Sequence, residues 1–121
     1  MLTNKDYCDY ETSAALKELG LSCDDIALRY EANPLACRYE DIPKPMLYEA
    51  QKWLREEKGI FVYIDVPWKT DDGLGWSHFC CNKPMTKEDE EVFFATGGFY
   101  DSYEEALAEG IKEAVRFLKE K

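Results

Sequence analysis

The sequence predicts an α+β fold: a small antiparallel meander sheet of three to four strands, packed against helices in a single domain. Three observations carry this. The segment "IFVYIDV" (60–66) is dense in β-branched and aromatic residues. Two further strand-like runs, "WSHFCC" and "VFFAT", follow it. Last comes "SYEEALAEGIKEAVRFL", where Tyr103, Leu107, Ile111, Ala114 and Leu118 are spaced by four, four, three and four, the stripe of an amphipathic helix. Strands grouped ahead of a helix that packs on them define the α+β class.

Taken in order, "DYETSAALKELG" is a first helix. Asp9 is its cap, Thr12, Ala15, Leu16 and Leu19 fall near one face, and Gly20 is its left-handed stop. "IALRY" (26–30) is a weak strand, and 31–45, with three prolines, reads as an irregular loop that wraps the domain. A second helix runs from about Met46 to Lys58, with Met46, Ala50, Trp53 and Leu54 as its apolar stripe. Pro45 suits its first turn and Gly59 its end.

The strand at 60–66 stops at Pro67, and "KTDDGLG" is a turn. With "WSHFCC" returning, 60–81 is a hairpin whose loop is too long for a two-residue turn. "NKPMTKEDEE" is a polar connector. In "TGGFYDSYEE" the paired glycines could present amides to an anion, but no P-loop Lys-Ser/Thr follows, so a tight turn is the better reading. Ser102 and Glu105 form a capping box, and Arg116, Lys119 and Lys121 complement the other end of the last helix. The chain thus divides into a helical part with an irregular loop (1–59) and a β-β-β-α part (60–121).

Charge narrows the function. With 15 Lys+Arg against 25 Asp+Glu, the chain carries −10 and has no basic cluster to neutralise phosphates, which argues against nucleic acid as a partner. Neither an apolar run of transmembrane length nor a signal-peptide h-region is present, so the expectation is a cytoplasmic protein without a membrane partner. The cysteines, Cys8, Cys23, Cys37, Cys80 and Cys81, are odd in number and irregularly spaced, which favours free, buried thiols over a disulfide framework.

The stretch "GWSHFCC" (75–81) holds the only histidine beside two cysteines. On a strand, Trp76, His78 and Cys80 share one face while Ser77, Phe79 and Cys81 share the other. His78 and Cys80 could give a metal two ligands, but a structural zinc wants four and no Cys-x-x-Cys pair exists. A Cys–His nucleophile needs the two groups aimed at each other, whereas strand neighbours stand side by side. The preferred reading is packing, with Phe79 and Cys81 toward the core and Trp76 and His78 on a partly wet face. No catalytic residue, metal or cofactor is assigned. The acidic pairs and runs, Asp71-Asp72 and Glu88-Asp89-Glu90-Glu91, lie in turn-like sequence and read as solvated loops.

The aromatics Tyr63, Trp68, Trp76, Phe93, Phe94, Phe99 and Tyr100 are concentrated in the strands, and one helix can cover only one sheet face. The candidate binding residues are therefore Tyr63, Trp68, Trp76, His78, Phe99 and Tyr100. They would form either a protein interface, where aromatics dominate hot spots, or a platform for a flat ligand.

The run "GIFVYIDVPW…GWSHFCC…FFATGGFYDSYEEALAEGIKEAVRFL" resembles HicB-like antitoxin domains, whose third strand also enters a capped "EEAL…KEAL" helix. The resemblance covers about half the chain; the N-terminal half departs from it, and the DNA-binding segment that normally follows is not in the sequence. Over the whole length, "ETSAALKELG", "YEAQKWLREEKGI" and "SYEEALAEGIKEA" resemble small proteins of bacteriophages and prophages. That resemblance implies a non-enzymatic binding protein in the host cytoplasm, countering host immunity by capturing a host protein or a small nucleotide-like ligand. The alternatives are a Cys/His-dependent enzyme and an antitoxin for a small basic toxin. Self-association is left open.

Overall fold

The structure, a computed structural model, describes residues 6–22, 38, 39, 42–82 and 93–120. Helix α1 spans Tyr10–Glu18. Asp9 caps it as its sequence position predicts: its carboxylate accepts the Thr12 amide at 2.8 Å, satisfying one of the donors a helix start leaves unpaired. The segment before it is tied to the second helix's approach, where the Cys8 amide donates to the Pro45 carbonyl at 2.9 Å.

Strands β1 (Arg38–Tyr39) and β2 (Ile42–Pro43) form a two-stranded antiparallel ribbon inside the stretch expected to be irregular. The weak strand at 26–30 and most of the polar connector lie outside the described residues.

Helix α2, Leu47–Lys58, begins one residue later than the sequence suggests. Pro45 precedes the cap position rather than opening the first turn, and the Met46 amide donates instead to the Glu49 carboxylate at 2.8 Å. Gly59 closes it at φ +68°, and the Gly59 and Ile60 amides both reach back to the Leu54 carbonyl, a left-handed closure that a β-carbon would strain. Ala50 and Leu54 are fully buried and Trp53 nearly so.

The main sheet is a meander around β5 (Gly73–Cys81). One edge of β5 pairs with β3 (Phe61–Ile64) and then β4 (Trp68–Thr70); the other pairs with β6 (Phe93–Tyr100), all antiparallel. Two sequence expectations are corrected here. The β4–β5 connection is a tight Asp71-Asp72 turn, because Trp68–Thr70 pairs with Gly73–Gly75 where a long loop was expected. The glycine pair before the last helix is not a turn: Gly97 and Gly98 belong to β6. Register shifts interrupt the β5–β6 ladder between Trp76 and His78 and between Cys80 and Cys81, each inserting an extra β6 residue.

Helix α3, Tyr103–Lys119, packs across β3, β5 and β6 and against α1 and α2. The Ser102 hydroxyl accepts the Glu105 amide at 3.1 Å, and the Glu105 carboxylate reaches back to the Asp101 amide, one residue beyond the cap. Leu107, Ile111 and Ala114 lie in the core beside Leu16, Leu54, Ile60 and Val62, whereas Tyr103 and Leu118, the ends of the stripe, are only partly covered. The exposed edge of β3 is shielded by a side chain, Gln51 of α2 donating to the Val62 carbonyl at 2.6 Å. No helix among the described residues is long and apolar enough to cross a membrane.

Candidate functional site

Because paired residues on neighbouring strands share a face, the register divides the sheet's side chains into two sets. One set lies beneath α3: Val62, Trp76, His78, Cys80, Ala95 and Tyr100. His78 is 2% exposed, so the expected assignment is inverted. His78 and Cys80 face the helix, and Phe79 lies on the opposite face. Alternation alone could not reveal this, since both sets of strand residues carry large side chains.

The His78 imidazole is held by what its neighbours lack. A β-carbon at Gly97 on β6 would stand 2.6 Å from its Cε1, and one at Gly110 on α3 would stand 3.1 Å from its Cβ. Tyr100 stacks on the ring at 5.6 Å. Nδ1 is buried with no hydrogen-bond partner among the described residues. Burial lowers the His78 pKa from the ordinary 6.5, opposed by the carboxylates of Glu113 and Glu109. A folded-state pKa below the unfolded one means that the unfolded chain takes up the proton first as pH falls. His78 therefore favours the folded state above pH 6.5 and withdraws that contribution as pH drops below it. Urea denaturation at pH 7 and pH 5 should show a smaller loss of stability in His78→Gln than in the parent; equal losses would show that the ring is not buried neutral. His78→Ala should destabilise the fold, since removing a ring that is 2% exposed opens a hole under α3.

Cys80 is fully buried. Its thiol donates to the Gly110 carbonyl at 3.3 Å, and burial pushes its pKa up to about 12, with Glu113 and Cys81 adding to the shift. Burial likewise pushes the Cys8 thiol up. A thiol held neutral and aimed at a helix carbonyl is not the thiolate a nucleophilic mechanism requires. Cys8, Cys80 and Cys81 should resist iodoacetamide in native protein at pH 8 and alkylate after denaturation. Peptide mapping that finds any of the three modified at a free-thiol rate would contradict this packing. Among the described residues no three His, Cys, Asp or Glu side chains converge as a metal site.

Among the described residues, no helix covers the other face of the sheet. The register, with the glycine contacts, arranges it in four rows across the strands. Trp68, Gly75 and Phe99 form the first, the Phe99 ring lying where a Gly75 side chain would be. Asp65, Ser77 and Gly98 form the second: the Asp65 amide donates to the Ser77 carbonyl, and a Gly98 β-carbon would collide with the Ser77 hydroxyl. Tyr63, Phe79 and Thr96 form the third, then Phe61, Cys81 and Phe93. Tyr63 stacks on Phe79 at 5.3 Å, and Phe93 tilts against both at 6.0 and 5.2 Å. Trp68 is 63% exposed, Phe99 64% and Tyr63 38%.

Of the six candidate binding residues, the structure thus brings Tyr63, Trp68 and Phe99 onto the open face. Trp76, His78 and Tyr100 lie on the covered one, Trp76 meeting Tyr103 edge-on at 5.7 Å. Phe79 and Phe93, absent from the candidate set, join the open face. The strand period could have placed Phe79 with Tyr63 only once the register was known.

Away from the sheet, a cleft of about 200 Å³ opens between α1 and α3, lined in part by Cys8, Leu47, Ala108 and Lys112. Its one lysine is engaged by Asp9 at 3.3 Å and Glu109 at 3.4 Å. Comparison of the chain with models of known families, with curated proteins and with solved structures gave no match.

Proposed function

We propose that this protein is a non-enzymatic binding module that captures a partner protein, stoichiometrically, through the open face of its sheet. One observation carries the reading. Two large aromatic side chains, Trp68 and Phe99, stand in one row on a sheet face that no described helix covers, each more than 60% exposed. Burying them against water would return far more free energy than scattered surface contacts, which is why exposed aromatic patches serve as interaction surfaces. A capture role agrees with the resemblance to small phage-type proteins, and a host protein is the target class. A nucleotide-like ligand is the weaker choice, because its phosphates would meet Asp65 on a chain of net charge −10.

The test is affinity capture of host proteins by parent, Trp68→Ala and Phe99→Ala, with quantitative mass spectrometry. A hot-spot truncation costs about 2 kcal/mol or more, or ~30-fold in affinity. The expected result is a partner recovered in stoichiometric amount by the parent and lost from both variants, whose circular dichroism is unchanged. Recovery equal in all three would reject the open face as the capture surface.

A further inference from the structure

The open face is not uniformly aromatic, and its relief identifies what it would hold. Between the Trp68–Phe99 row and the Tyr63–Phe79 row runs a row of short side chains, Asp65, Ser77 and Gly98. The result is a trough across the strands, walled by rings on both sides and floored by a serine and a glycine. Among the described residues its one charged group is Asp65, an exposed residue, and none of the four rows contains a lysine or arginine. One Asp65 carboxylate oxygen accepts the adjacent Val66 amide at 2.8 Å, which fixes the group while leaving its other oxygen for a ligand. The β4–β5 turn beyond the first row adds Asp71 and Asp72, both exposed.

Resting on the proposed capture function, we propose that this trough is the anchor for an arginine or lysine side chain presented by a basic segment of the partner protein. The aliphatic stem would lie between the ring walls, the cationic head would stack on the exposed indole of Trp68, and the Asp65 carboxylate would pair with it. Aromatic faces attract cations through their quadrupole, and a guanidinium stacks on a ring while hydrogen-bonding a carboxylate in its own plane. A second copy of this chain is a poor occupant. Face-to-face pairing would bring the two Asp65 troughs together between molecules that each carry −10, with no cation in the rows to answer them. An anionic ligand meets the same obstacle.

The experiment is selection of a random twelve-residue peptide display library on the immobilised parent protein, with Trp68→Ala and Asp65→Asn as comparison baits. Enrichment of an arginine or lysine at a fixed position beside apolar residues is expected. Affinity for such a synthetic peptide should fall at least tenfold in both variants, and should fall with added salt for the parent. Asp65→Asn keeps the size of the side chain and an acceptor for the Val66 amide, so its loss reports charge. Peptides without a cation that still depend on Trp68 would overturn the cationic anchor and leave the capture function standing. Cationic peptides indifferent to Asp65→Asn would overturn it as well. If no enriched peptide depends on Trp68, both the anchor and the capture surface are rejected.

Discussion

Truncating Leu107 or Ile111 to alanine is expected to cost about 2–5 kcal/mol of unfolding free energy each. Both side chains sit at the meeting of α3 with the sheet, 3% and 0% exposed. The removed atoms leave cavities that neighbours from three helices and β3 cannot all collapse to fill. A domain of this size holds about 5–15 kcal/mol in total, so either change takes a large share of its stability. Leu118 belongs to the same sequence stripe but is only partly buried, and Leu118→Ala should cost clearly less than either. Urea denaturation of the three variants checks the order. Similar small losses at all three positions would mean that α3 does not seat on the sheet as described.

Gly110→Ala is expected to destabilise by about 1–3 kcal/mol, as overpacking of a filled core does. Helix propensity alone argues the reverse, since alanine in a helix interior is favoured over glycine by about 1 kcal/mol. The packing term should win because the new β-carbon would stand 2.7 Å from Val62 Cγ1 and 3.1 Å from the His78 Cβ, both on strands that α3 crosses. Neither atom is the free end of a flexible chain. The Gly110 carbonyl also accepts the Cys80 thiol, so shifting the helix to relieve the clash would stretch that contact. A thermal unfolding midpoint raised in Gly110→Ala would show that the helix rides higher above the sheet. Gly110→Ser, with its β-carbon in the same place, should lose at least as much as the alanine variant.

The elements with strong local signals were legible along the chain. Asp9 with Gly20, Gly59, and Ser102 with Glu105 delimit three helices because caps and left-handed stops act within a few residues. The signals failed where pairing overrides local preference. "TGGFY" reads as a turn in isolation, yet β5 offers it a ladder, and Gly97, Gly98 and Phe99 are used there for close approach to His78, Ser77 and Gly75. "WKT" likewise carries little strand signal of its own and becomes β4 by pairing back onto Gly73–Gly75.

What the sequence by itself determined is the α+β class, the capped helices, the order of the main strands, the acidity, and a surplus of aromatics beyond what one covered sheet face can bury. What only the tertiary structure decided is which side of each strand the helix covers. A period of two sorts Trp76, His78 and Cys80 from Ser77, Phe79 and Cys81 but is symmetric between the sets, and Phe79 looks the better core residue. The choice falls the other way because α3 approaches closely through Gly110, where His78 and Cys80 fit beneath it, while Phe79 packs laterally with Tyr63 and Phe93 on the open face. Complementarity between two distant surfaces settles that choice, and it leaves Trp68, Phe99 and Asp65 exposed to solvent.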